Sequence, residues 1–78
     1  MNKKELDVEI IEAIGVISSS EKGWRMEVNL VSWNNRAVKY DIRSWNEDHT
    51  KCSRGATLTP EELYKLKDLL NLRLGGSL

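Results

Sequence analysis

The sequence has no phenylalanine, one histidine and one cysteine, and its charges cancel, with 12 Lys+Arg against 12 Asp+Glu in 78 residues. Each shortage excludes something. A single thiol, Cys52, cannot form an internal disulfide and suits a reducing compartment. His49 and Cys52 fall short of a structural zinc site, which takes four ligands. Three residues apart in a polar stretch, with no orienting partner, they also make a poor nucleophile–base pair. Glu47-Asp48 reads as a solvated acidic turn and Ser18-Ser19-Ser20 as a turn with no base beside it. Gly75-Gly76 follows a helical pattern rather than opening one, so there is no phosphate-binding loop. Neither an enzyme nor a metal or cofactor is expected. Zero net charge gives no overall pull toward nucleic acid. No apolar run approaches the roughly 20 residues of a membrane span. Met1-Asn2-Lys3-Lys4 leads into acidic residues rather than an apolar signal segment, so a cytoplasmic protein is expected.

What is present is concentrated in the middle. Residues 1–78 suffice for one domain. A monomer of this size buries only about 60–65% of its extended-chain surface and is marginal; oligomerisation is the remedy left open. Residues 1–20 carry Lys3 and Lys4 against Glu5, Asp7, Glu9 and Glu12, a net of −2. Residues 22–43 carry Lys22, Arg25, Arg36, Lys39 and Arg43 against Glu27 and Asp41, a net of +3. All three tryptophans lie between residues 24 and 45. A local basic and aromatic patch is indicated, not a basic tail.

Local patterns give the order ββββα. Leu6, Val8 and Ile10 alternate with Asp7 and Glu9, which favours a strand over Leu6–Ile17, with a helix over 6–14 as the competing reading. The phase breaks after Ile10, so a bulge is expected near Ile10–Ile11 or near Gly15. Ser18–Gly23 is turn chemistry. "WRMEVNLVSW" and "AVKYDIRSW" alternate as two strands of a hairpin. Asn46–Gly55 is polar and reads as a loop, with a short fourth strand at Ala56–Leu58. "LTPEEL" is a helix start: Thr59 as N-cap, Pro60 at N1 and Glu62 closing a capping box. Leu63, Leu66, Leu70 and Leu74 then form one stripe, Leu72 lies opposite, and Gly75-Gly76 ends the helix.

The hairpin register follows from parity. A two-residue Asn34-Asn35 loop would mix the faces, because a one-residue slip turns every side chain over. A three-residue loop, Asn34-Asn35-Arg36, pairs Leu30 with Tyr40, Val28 with Ile42, Glu27 with Arg43 and Arg25 with Trp45, with positive φ at Asn35 or Arg36. Arg25, Glu27, Asn29, Val31, Trp33, Lys39, Asp41, Arg43 and Trp45 then share the face turned away from the helix, expected to meet water. Exposed Trp can stack any base, and Arg and Lys neutralise phosphates. The same face would equally suit a protein interface, and Glu27–Arg43 an ordinary cross-strand ion pair.

"KYDIRSW", a polar loop, "RGATLTPEEL" and a terminal amphipathic helix together resemble the single-stranded-DNA-binding domain of the positive cofactor four coactivator family, notably its small bacterial YdbC-like members. The likeness spans Trp24 to Leu72. It implies an α+β fold, a strongly curved four-stranded antiparallel sheet followed by a C-terminal helix, assembled as a homodimer with a concave channel for single-stranded DNA on each sheet. It also implies site residues: Trp33 and Trp45 as base-stacking aromatics, the hairpin loop Asn34-Asn35-Arg36, and Arg25, Arg43 and Arg54 at phosphates, with Lys39 added from its strand phase and Lys51 from its charge and loop position. The implied role is a largely sequence-independent cofactor in transcription, replication or repair, with transcription or repair proteins as partners. Single-stranded RNA binding, or docking of a protein on the Trp face, are the other outcomes such a surface allows.

Overall fold

The computed structural model describes residues 8–75. The frayed start expected at residues 1–5, the strand residues Leu6 and Asp7, and Gly76 lie outside the described residues. Strands β1 (Val8–Ser19), β2 (Arg25–Trp33), β3 (Lys39–Trp45) and β4 (Cys52–Leu58) form one antiparallel sheet in chain order, followed by helix α1 (Pro60–Leu74).

The competing helix at the start is absent. β1 has 12 residues against the 9 of β2, and the ladder shifts three times, between Ile10 and Glu12, Ala13 and Gly15, and Val16 and Ser18. Ile11, Ile14 and Ile17 are the residues skipped. Both expected bulge positions are therefore used, and a third follows. Each bulge bends the strand and adds twist.

The β2–β3 register is the one parity required: Arg25 opposite Trp45, Glu27 opposite Arg43, Val28 opposite Ile42, Leu30 opposite Tyr40. The loop differs from expectation. Asn34 and Asn35 both have positive φ (53° and 60°), and the Arg36 amide donates to the Trp33 carbonyl at 2.9 Å. That is a two-residue turn of the type favoured in hairpins. One extra residue on the β3 side then restores parity before the ladder starts at Val31–Lys39. Ser32 Oγ donates to the Arg36 carbonyl at 2.8 Å, holding this offset in place.

β4 is longer than Ala56–Leu58. Cys52 through Gly55 also belong to it, paired at Trp45–Cys52 and Arg43–Gly55, with a shift between these pairs. The expected loop over Asn46–Gly55 shrinks accordingly. Ser53 and Gly55 are turn-type residues, but Gly55 is there for space: a Cβ would run into the Ile42 carbonyl oxygen and Arg43 Cβ.

Helix α1 starts as expected. Thr59 Oγ1 accepts from the Glu62 amide at 3.1 Å, and Glu62 Oε1 accepts from the Thr59 amide at 2.8 Å. Gly75 closes it with φ 99°. Among the described strands, the helix touches β3 and β4. Leu63 and Leu66 are half-buried against them, while Leu69, Leu70, Leu72 and Leu74 remain exposed, Leu72 by 83%. No helix among the described residues is long and apolar enough to cross a membrane.

The burial is concentrated on the other face. Glu27, Asn29, Val31, Asp41 and Trp45 are all buried, and all share the parity opposite to Tyr40, the sheet residue under the helix. Among the described residues no second layer covers them; β1 residues Ala13, Gly15 and Val16 border this face, and His49 of the 46–51 loop packs onto Trp45 and Glu27.

Candidate nucleic-acid interface

The face away from the helix was expected to be open to water. Its membership is as expected, but its exposure is not. Trp45 is 1% exposed and forms floor rather than surface. Trp33 is half-buried. Both rings therefore lie within the groove rather than projecting from it, and both indole Nε1 atoms are buried with no hydrogen-bond partner.

Arg43 organises the centre. Its Nε and Nη2 donate to the two Asp41 carboxylate oxygens at 2.6 and 2.9 Å, a bidentate fork. Nη2 also reaches Thr57 Oγ1 at 3.2 Å, and Nη1 the Ser53 carbonyl at 3.4 Å. Thr57 Oγ1 donates to Asp41 Oδ2 at 2.8 Å. Asp41 is fully buried, and the Arg43 side chain is 14% exposed. Burial works against the guanidinium charge, but the Asp41 carboxylate outweighs it and raises the Arg43 pKa above its ordinary value. The guanidinium lies over the Trp33 ring, 4.9 Å from its centroid, a cation–π contact worth about 0.5–1 kcal/mol or more. Arg43 is thus a fixed brace between Asp41 and Trp33, its charge largely answered from within.

A second cluster sits toward the β1–β2 end. Glu27 is buried; its Oε1 accepts from Asn29 Nδ2 at 3.1 Å, and His49 Nε2 lies 3.0 Å from both carboxylate oxygens. Arg25 Nη2 is 3.5 Å from Oε2, with the arginine side chain 41% exposed. Burial pushes the Glu27 pKa up, but Asn29, His49 and Arg25 together hold it below its ordinary value. His49 also packs on Trp45, ring centroids 5.4 Å apart. The loop that carries it is tied by Asn46 to Thr50 and Lys51 and by Asp48 to Thr50, and His49 itself has φ 60°.

The remaining cations are exposed. Arg36 is in the hairpin loop beside Asn34, Lys39 opens β3 opposite Val31, Lys51 ends the 46–51 loop, and Arg54 lies in the irregular stretch of β4. All five residues are exposed. Among the described residues, no carboxylate lies within ion-pair distance of Arg36, Lys39, Lys51 or Arg54.

The structure thus divides the residues named from the sequence. Trp33, Arg43, Trp45 and Arg25 are brought together with internal partners. Asn34, Arg36, Lys39, Lys51 and Arg54 are exposed to solvent. Sequence reasoning set His49 aside as a loop residue and offered Glu27–Arg43 as a cross-strand ion pair; instead Arg43 pairs with Asp41, its neighbour two positions away, and Glu27 with Arg25 and His49. No local motif announces His49; only the fold brings it to Glu27, 22 positions away.

Comparison with known proteins places this geometry among relatives. The family described as Transcriptional Coactivator p15 (PC4) matches residues 20–69, which run from the turn before β2 into helix α1. An "Uncharacterized protein" of Treponema pallidum (strain Nichols) is 46% identical over 63 residues, covering 81% of this chain and 74% of its own length.

Proposed function

The chain belongs to the Transcriptional Coactivator p15 (PC4) family, and on that premise we propose that it is a homodimeric single-stranded DNA-binding protein using the Trp-bearing face of its sheet. One observation carries this: Trp33, Arg43 and Trp45 share the sheet face opposite helix α1, and Arg36, Lys39, Lys51 and Arg54 are exposed with no carboxylate within ion-pair distance among the described residues.

Arg36, Lys39, Lys51 and Arg54 contact phosphates, with Asn34 at the hairpin tip donating beside Arg36. Each phosphate neutralised releases counterions, so affinity falls with salt. Trp33 offers the part of its ring that Arg43 leaves open to a base, a contact worth about 1–3 kcal/mol. Trp45 supports that groove from beneath. Arg25 is shared between Glu27 and the strand, and Arg43 serves chiefly to hold Trp33. An unpaired strand is favoured over a duplex because stacking needs free base faces. With phosphates supplying most of the attraction, binding is largely independent of sequence. A protein of this kind serves transcription, replication or repair by holding transiently unpaired strands.

The second copy is supported by the other face. A groove of about 390 Å3 between Tyr40 and the helix residues Leu63, Tyr64, Leu66, Lys67 and Leu70 is mostly apolar, and it continues into the exposed Leu69 and Leu74. The helix of a second copy supplies the apolar cover that this face lacks.

Intrinsic Trp fluorescence should be titrated with a mixed-sequence single strand at low salt, with the matching duplex as control, and the mass measured by light scattering. Quenching by the single strand and a two-chain mass are expected. An unchanged spectrum at micromolar strand would sink the proposal, and a one-chain mass at the same concentration would remove its dimeric part.

A further inference from the structure

The loop over residues 46–51 closes on itself. Asn46 Nδ2 donates to Thr50 Oγ1, Asn46 Oδ1 accepts from the Lys51 amide, and Asp48 Oδ1 accepts from the Thr50 amide and hydroxyl. Its backbone bonds, Asn46 to Lys51 and His49 to Asn46, are internal too. Among the described residues, one side-chain contact ties the loop to β2: His49 Nε2 lies 3.0 Å from both carboxylate oxygens of Glu27. The same ring packs on Trp45, 5.4 Å between centroids. His49 holds a left-handed backbone, φ 60°, which side chains of this size seldom adopt. The turn thus delivers one ring to the sheet.

The two ends of that contact titrate differently. Burial alone would raise the Glu27 pKa, but Asn29, His49 and Arg25 hold it below its ordinary value, so the carboxylate stays ionised at neutral pH. Histidine is the side chain whose charge ordinarily changes between about pH 5 and 8. A neutral ring still donates one N–H to a carboxylate, whereas an imidazolium does so with a full charge, in a bond about twice as strong. The surroundings leave Glu27 as the facing counter-charge. Arg25 of β2 stands 3.5 Å from Glu27 Oε2. β1 brings only Ala13, Gly15 and Val16 to the pocket they share with His49, and β3 brings Trp45. Within the loop, Asp48 is turned to Thr50, Glu47 reaches toward Gly23, and Lys51 is exposed.

We propose that the His49–Glu27 contact is a proton-controlled latch: protonated His49 fastens the 46–51 loop to β2, and neutral His49 lets it loosen. Lys51 ends this loop, so fastening fixes a phosphate-binding cation and adds a positive charge near it. Acidification then tightens strand binding. That consequence rests on the single-strand proposal above; the latch itself does not.

The test reads the order of the 46–51 amides by nitrogen relaxation in the unliganded protein, at about pH 6 and about pH 7.5, with β2 amides as reference. The loop should match β2 at the lower pH and become more mobile at the higher. The difference should vanish in His49→Asn, which tolerates the left-handed backbone, and in Glu27→Gln. Equal loop order at both pH values in the parent protein overturns the latch, and this arm needs no variant. A pH response that survives in folded Glu27→Gln also overturns it, because the histidine would then act without its carboxylate. Affinity for a mixed-sequence single strand, by anisotropy at fixed salt, should rise about fivefold at the lower pH and stay flat in His49→Asn. A parent affinity that ignores pH overturns the link from latch to strand. Failure to bind at either pH overturns the single-strand proposal, and the relaxation comparison then decides the latch alone.

Discussion

Replacing Asp41 by alanine should cost this domain about 3 kcal/mol, and the reason is Arg43. The substitution removes two charge-assisted hydrogen bonds, at 2.6 and 2.9 Å, and the Thr57 bond at 2.8 Å. It leaves a guanidinium that is 14% exposed and cannot swing freely to solvent, because Trp33 lies over it. Breaking a buried pair from one side costs about 3–5 kcal/mol. The lower end applies, since Thr57 Oγ1 and the Ser53 carbonyl remain near Nη2 and Nη1. At about 4–8 °C per kcal/mol for a domain of this size, the melting temperature should drop by about 12–24 °C at fixed protein concentration. The companion Arg43→Ala should cost at least as much, because it strands a fully buried carboxylate. The double variant should then be less damaged than the sum by about 0.5–3 kcal/mol. Urea or thermal unfolding followed by Trp fluorescence measures all three. A loss under about 1 kcal/mol for Asp41→Ala, or an additive cycle, would refute the view of Arg43 as an internal brace.

Gly55→Ala should disrupt β3–β4 pairing and shift the Arg43 signals in an NMR spectrum, because its Cβ meets Ile42 and Arg43 backbone and side-chain atoms; a melting curve and spectrum matching the parent would contradict this. Thr59→Ala should lower stability by about 1 kcal/mol through loss of the capping box, read by chemical denaturation. The lowered Glu27 pKa fixes an acid limb: its stabilising contribution is complete above the unfolded value near 4.5 and is lost as pH falls through the lower folded value. In Glu27→Gln the stability–pH curve should therefore be flatter in that window, and an unaltered acid limb would show that Glu27 gains nothing from its neighbours. Leu70→Glu should weaken self-association measured by analytical ultracentrifugation, because Leu70 is exposed and lines the apolar groove beside the helix, whereas unchanged association would place that groove outside the joint.

Much of this was legible in the sequence where short-range rules decide. Thr59, Pro60 and Glu62 mark a helix start that no tertiary context needs to supply. Alternation alone set the β2–β3 register, because only one parity keeps Leu30, Tyr40, Val28 and Ile42 together. What stayed hidden depends on the sheet's bend. Alternation says which side chains share a face, but not whether that face is open. Three bulges in β1 and the folded-back loop made Trp45 a floor residue. Ser53 and Gly55 looked like loop chemistry because the close approach of Arg43, which requires glycine, is a contact between strands. His49 could not be assigned for the same reason: its partner, Glu27, is distant in sequence and near only after folding.

The central claim is that unpaired DNA lies in the Trp groove and is held by exposed cations. The salt dependence of binding to a mixed-sequence single strand tests it most directly. Four exposed cations per protomer, with no ion pair among the described residues, predict that the logarithm of the association constant falls with log salt at a slope of about −3 for each protomer engaged, near −0.7 per contact. Arg36→Ala or Arg54→Ala should reduce that slope by about 0.7. Arg43→Ala should weaken binding without flattening it, because Asp41 already answers that charge. A duplex that binds as tightly as the single strand, or a slope near zero, would contradict the account.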